Sequence, residues 1–412
     1  MTSSFTWLDY SEKERQKMLD ILSTLKEHET RDELGIGVIR DAFADMFFPG
    51  TSTIQTRARY FLFVPWMYRS MEEKKVPSSK IERRARDEEV CLIKSLLASG
   101  ETDGVIGREA KENLKRFPSS IYWQGLEAWG IRLSHYSISD YHRSLDAFYR
   151  FGKDSSHSYE EEIDGCQRRH NWHPGLPPAP EDFPAKASFS LTFEEACYLK
   201  ESVLARPRCQ DTMLAYLLNS DIPSESVSFP WEHPICSDLP ESLREKLFHA
   251  RNFSEVINGA SLLYNLMLAE KSDILGLQAY DGKVSVFKNK LDEWADSLQS
   301  RRADLDRWHQ EGHFWKIVSE HEVRATGQTR SFINTWLKMA LSSEGAQRIA
   351  ENESARKLIH EREKQLKGNL ARLDNQEALA RWSGDAGTGR LRYRWRPAEK
   401  IISDIFLGLR RS

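Results

Sequence analysis

Apolar positions recur at helical spacing along most of this chain. Met18, Leu19, Leu22 and Leu25 follow Ser11-Glu12-Lys13-Glu14, a capping box in which the serine hydroxyl and the Glu14 carboxylate each take a backbone N–H. A second helix is predicted over 36–47, stopped by Pro49-Gly50. Residues 80–99 read as a long amphipathic helix with Ile81, Ala85, Val90, Ile93 and Leu97 inward. After a turn at 100–104, a short helix ends near Phe117, and the next holds Ile121, Tyr122, Trp123, Leu126 and Trp129 before Gly130. These three helices with short turns fit a helix-turn-helix or winged-helix unit, whose last helix would be the reader, and fit an ordinary bundle, which is the expectation. Thr192 is the expected N-cap of a further helix, with Glu194 and Glu195 in its first turn. Others follow at 242–250, 332–350 and 355–382.

The clearest periodicity lies in 284–308. Val284, Phe287, Leu291, Trp294, Leu298, Leu305 and Trp308 alternate steps of three and four, and Arg301 fills the one missing position. The seam runs for about three and a half heptads, and its expected partner is its own domain rather than another chain. Two stretches break the helical pattern. Residues 152–190 are poor in apolar side chains, and Pro174, Pro177, Pro178, Pro180 and Pro184 cannot continue a helix, so the segment reads as a linker or strap. A second Pro-rich crossing covers 222–240. The expected organisation is an N-terminal helical domain (1–151), a Pro-rich linker or strap (152–190), a middle helical domain (191–330) and a basic C-terminal region (331–412). The fold class is mainly α, as multi-domain helical bundles.

Composition supports folded cores. Of 412 residues, 40% are hydrophobic and twelve are Trp, which excludes a disordered acidic or polybasic chain. The longest apolar run, YFLFVPWMY at 60–68, is far short of the roughly 20 residues that span a bilayer. No cationic segment followed by an apolar one opens the chain, so no signal peptide or membrane association is expected. Cys91, Cys166, Cys197, Cys209 and Cys236 form no CxxC pair and read as reduced thiols of a cytoplasmic protein.

Candidate catalytic motifs fall short of what their chemistry needs. His309 and His313 stand at i and i+4, but the glutamate of a zincin should follow the first histidine directly, and Gly312 weakens the helix. His170 and His173 have no ligand cluster nearby. Glu109-Ala110-Lys111 and Glu361-Arg362-Glu363-Lys364 contain the Glu-x-Lys element of restriction-type nucleases, yet lie in helical patterns and read as surface charges. Asp41 and Asp45 lack a third ligand. Gly35-Ile36-Gly37 lacks the third glycine of a dinucleotide fingerprint, and the glycine-rich run 384–389 lacks the lysine of a phosphate loop and reads as a flexible turn. No cofactor, metal site or catalytic residue is assigned.

Charge is unevenly divided. The chain carries a net −3, but from residue 356 onward there are 14 Lys/Arg against 7 Asp/Glu, leaving the remainder near −10. Arg390, Arg392, Arg394 and Arg396 alternate with Leu391, Tyr393 and Trp395, the period of a short β element with four guanidinium groups on one face. Such a row suits nucleic-acid phosphates, and equally suits the acidic remainder of the chain or an acidic partner. A second anion candidate is 51–59: if a helix begins near Thr53, its free N–H groups, the hydroxyls of Thr51, Ser52 and Thr53, Gln55, Arg57 and Arg59 converge. Lys74, Lys75, Lys80, Arg83, Arg84 and Arg86 add a basic face diluted by Glu72, Glu73 and Glu82.

The runs FPGTSTIQTRARYFLFVPWMY (48–68), GVIGREAKENLKRFPSSIYWQGLEAWGI (104–131), WHPGLPPAP (172–180), GASLLYNLMLAE (259–270) and LRYRW (391–395) resemble a prokaryotic family of unknown function over nearly the whole chain. The resemblance implies a setting in antiphage defence islands, beside helicases and phospholipase-D-like proteins, and supplies no catalytic residues. The expectation is a non-catalytic subunit of a defence complex that binds partner proteins and DNA. The competing class is a metal-dependent nuclease, or another nucleic-acid-processing enzyme of the same system.

Overall fold

The computed structural model describes residues 32–110, 113–154, 170–220, 227–320 and 325–411. The Ser11 capping box and its helix, Lys111 and Cys166 lie outside them. In chain order the α-helices are α1 (Gly37–Phe47), α2 (Tyr60–Glu73), α3 (Ile81–Ala98), α4 (Pro118–Ala128), α5 (Ile138–Asp154), α6 (Phe193–Leu204), α7 (Pro207–Gln210) and α8 (Met213–Asn219). There follow α9 (Glu241–Ile274), α10 (Lys283–Ser300), α11 (Arg302–Glu311), α12 (Phe314–Ser319), α13 (Gly327–Ala340), α14 (Glu353–Lys367), α15 (Gln376–Ala380) and α16 (Trp395–Leu409). The protein is mainly helical, and the described residues contain no strand. The wing of a winged-helix unit and the C-terminal β element are therefore not formed there. None of these helices is long and apolar enough to cross a membrane.

Two compact units divide the chain: one takes Met1–Ala42 and Phe248–Leu391, the other Phe43–Leu247 and Arg392–Ser412. In the second unit α2 is the central rod. Ten of its fourteen residues are buried. Burial of each large apolar side chain is worth about 1.5–3 kcal/mol, and together they outweigh the roughly 3 kcal/mol cost of the interior Pro65. Phe61 stacks on Trp129 at 3.8 Å, and the Trp129 indole donates to the Pro49 carbonyl at 2.9 Å. Residues 170–191 form an irregular strap on this core: the Trp66 indole donates to the Pro177 carbonyl at 2.7 Å, and Phe63 stacks on Phe183. Thr192 caps α6 in a full capping box with Glu195. α16 lies against α6 so closely that a Cβ on Gly408 would stand 2.7 Å from the Ala196 methyl.

The wheel of α3 is turned by one residue from the sequence-based expectation. Val90 and Leu97 are half-buried, while Glu89 and Leu96 point inward. Glu72 is also drawn in, accepting from the Tyr141 hydroxyl, the Asn171 amide and the Trp172 indole. It leaves the basic face it was expected to dilute, and burial pushes its carboxyl above the ordinary range.

The first unit is organised on α9, which runs 34 residues rather than the nine expected. The heptad seam packs within this unit, with Phe287, Leu291, Trp294, Leu298, Leu305 and Trp308 all buried. It is not one helix: the chain breaks at Arg301 between α10 and α11. Three indoles tie the seam and α13 to α9, Trp294 donating to the Glu255 carbonyl, Trp336 to the Val256 carbonyl and Trp308 to His249 Nδ1. Asparagines at 352 and 375 cap α14 and α15, splitting the stretch expected as one helix over 355–382.

Glu361 to Lys364 are not all surface charges. Glu363 is fully buried and accepts from the Tyr264 hydroxyl, Lys367 and the Arg372 and Leu373 amides. Arg362 is 4% exposed and donates to the carbonyls of Leu34 and Gly35. Lys367 and Arg372 both reach Glu33, closing a buried network whose every charge has a partner.

Candidate nucleic-acid interface

Residues 51–59 form a loop, and the helix after them starts at Tyr60, not near Thr53. Their polar groups are largely turned to internal use. The Thr51 hydroxyl donates to the Phe48 carbonyl at 2.7 Å. Gln55 closes the turn, accepting the Ser52 N–H at 3.1 Å and donating to the Gly50 carbonyl at 3.2 Å. Arg57 grips Asp404 with two N–H groups, both at 2.9 Å, and lies over the Phe189 ring. Burial lowers the Arg57 guanidinium, and pairing with Asp404 more than restores it, so its pKa ends above the ordinary value. Arg59 donates to Glu195 at 2.6 Å and to the Ser188 carbonyl at 2.9 Å. Ser52 is half-buried, and Thr53 alone among these residues is exposed.

The arginine row is divided. Leu391 closes the first unit, so Arg390 belongs there and Arg392, Arg394 and Arg396 to the second. The apolar half of the alternation holds: Tyr393 and Trp395 are each 1% exposed, Tyr393 edge-on to Phe43 and Phe47. The guanidinium half does not share one face. Tyr393 and Arg394 take positive φ, 51° and 63°, which breaks period two and turns the chain into α16. Arg394 then reaches inward to Asp45 and the Thr51 carbonyl. Arg392 and Arg396 are exposed, the first 5.7 Å above the Phe229 ring and the second paired with Glu399 at 3.2 Å.

Much of the C-terminal positive charge meets acids from earlier in the chain. Arg356 forks onto Glu270 at 2.7 and 3.0 Å, Lys367 and Arg372 meet Glu33, Arg394 meets Asp45, and Lys400 lies 3.1 Å from Asp103. The asymmetry along the sequence is thus largely cancelled in space.

Arg390 leads to a constellation that periodicity did not reveal. Its Nη2 donates at 2.8 Å to Glu255, which also accepts from Arg251 Nε at 3.1 Å and from Arg301. Arg301 holds the Asn252 carbonyl oxygen at 2.9 Å as well. Three guanidinium groups thus converge on one buried carboxylate. The one available signal was Arg301 at a seam position, where an apolar side chain belongs.

The remaining motifs dissolve into local structure. Gly312 at φ 66° ends α11, so His309 and His313 belong to different turns of chain. Asp32 takes the N–H groups of Ile36 and Gly37, both at 2.7 Å. The 384–389 loop is fastened to α9 rather than flexible: Asn265 exchanges two hydrogen bonds with Ala386, and Asn258 donates to the Thr388 carbonyl. Among the described residues no group of three His, Cys, Asp or Glu could hold a metal ion.

No curated protein and no solved structure matches the chain. A family model does, from residue 2 to residue 406, and on that match the chain belongs to a family of unknown function, DUF6361.

Proposed function

We propose that this protein is a non-catalytic helical subunit of a prokaryotic antiphage defence complex, holding partner proteins and DNA. The observation that carries the DNA part is the basic edge at the head of α16. Arg392 lies in the turn before the helix, and Arg396 and Lys400 follow one turn apart on one face. The pairs Arg396–Glu399 and Lys400–Asp103 are solvent-accessible, with both cationic side chains 45% exposed. Exposed pairs of this kind are worth about 0–1 kcal/mol, so a phosphate can replace the carboxylate. Phe193 and Leu407, 45% and 56% exposed, flank the contact of α6 with α16 and supply an apolar contact for a partner protein. The defence setting, with a helicase or phospholipase-D-like nuclease as partner, rests on the family resemblance.

The test is a mobility-shift titration with duplex DNA at low salt. Arg392→Glu with Arg396→Glu is expected to weaken binding without loss of fold, because neither side chain is part of the core. Unchanged affinity, or no binding by the parent protein, overturns the DNA part. Plasmid cleavage with Mg²⁺ that a chelator abolishes overturns the non-catalytic part.

A further inference from the structure

The Glu255 constellation is over-supplied with positive charge and with donors. Arg251, Arg301 and Arg390 each carry one charge, and Glu255, 5% exposed, can neutralise one of them. Asp304 adds a looser contact to Arg301 at 3.6 Å. A guanidinium offers five N–H donors, and a carboxylate accepts about four hydrogen bonds in all. The cluster therefore lacks acceptors.

A second, independent observation marks the same place. Asn252 is 0% exposed, its side-chain oxygen receives Arg301, and its Nδ2 has no hydrogen-bond partner. A buried N–H without an acceptor costs about 1–3 kcal/mol, and native interiors leave few of them. Its position beside Arg301 sets a neutral donor behind a ring of cations, as anion sites are built. Arg251 and Arg390 close the solvent side, with side chains 40% and 33% exposed, so a ligand enters by drawing them off Glu255.

We infer that Arg251, Asn252, Arg301 and Arg390 form a binding site for a phosphoryl group, carried by a nucleotide or by a nucleic-acid backbone, with Glu255 holding the guanidinium groups in place while the site is empty. Planar guanidinium forks match phosphate oxygens as they match carboxylates, and tetrahedral phosphate adds the acceptors that Glu255 lacks. This site is separate from the Arg392–Arg396 edge and does not rest on it.

Thermal unfolding and calorimetric titration of the full chain test it, with inorganic phosphate, ATP and a single-stranded oligonucleotide as separate probes and chloride at equal ionic strength as control. Asn252→Asp keeps the acceptor for Arg301 and replaces the inward donor with a negative charge, so it preserves the fold and repels an anion. The parent is expected to bind at least one probe, and Asn252→Asp and Arg251→Gln to bind it about tenfold or more weakly, at least 1.4 kcal/mol of binding energy. Arg392→Glu with Arg396→Glu leaves that probe's affinity unchanged if it is phosphate or ATP. The tightest probe identifies the source of the phosphoryl group. Absence of binding to all three, or binding that both Asn252→Asp and Arg251→Gln retain in full, overturns the inference.

Discussion

Arg57 and Asp404, 347 residues apart, are joined by a two-pronged ion pair whose carboxylate also accepts the Ala58 N–H at 3.0 Å. Their side chains are 15% and 4% exposed, so neither charge is well solvated alone. Removing one partner of such a pair costs about 3–5 kcal/mol, because the other stays buried without compensation. Asp404→Ala is therefore expected to lower the unfolding free energy by about 3 kcal/mol, and Arg57→Lys by less, since the charge remains and only the fork is lost. Chemical denaturation checks both. A loss below 1 kcal/mol for Asp404→Ala would show the pair to be dispensable.

Glu89 gives a pH dependence of definite sign. The residue is 2% exposed and accepts the Ser119 N–H at 2.6 Å and its hydroxyl at 3.1 Å. Desolvation outweighs both bonds and pushes its carboxyl up to about 8. Between the ordinary value of 4.5 and about 8, the folded chain keeps a proton that the unfolded chain releases. Stability from this group is complete below that window and is lost as pH rises through it, at most about 1.4 kcal/mol per pH unit. Glu89→Gln has no proton to release and is expected to flatten the decline. Parallel denaturation curves for parent and variant across the window would refute the assignment.

Gly259 lies inside α9, where alanine is ordinarily better by about 1 kcal/mol. Here the preference reverses, because a Cβ would stand 2.3 Å from the Trp294 ring. That indole is fixed by its bond to the Glu255 carbonyl and cannot give way cheaply. Gly259→Ala is expected to destabilise by about 1–3 kcal/mol, the usual cost of overpacking. A raised melting temperature would contradict the close packing of Trp294 on α9.

Local features were legible. Pro49-Gly50 after α1, Thr192 before α6 and the bounds of α3 follow from capping, φ restriction and periodicity, all of which act within a few residues. Boundaries slipped where competing caps lay inside a helical pattern, at Gly368 and Asn375, and where no stop interrupted α9. Inward faces were less secure. One residue is about 100° of helix, enough to exchange Val90 for Glu89, and a wheel scored by hydrophobicity never places a carboxylate inside.

The destinations of the charges were not legible at all. Arg57 meets Asp404, Arg59 meets Glu195, Arg394 meets Asp45 and Arg390 meets Glu255, each across more than a hundred residues. The alternating arginines read as one face because period two carries no information on backbone sign, and positive φ at Tyr393 and Arg394 redirected the row. By itself the sequence determined a helical protein with real cores, its punctuation and its uneven charge, since these depend on neighbours along the chain. Tertiary structure alone decided which cations face water, because an arginine is spent or free according to an acid that folding brings beside it.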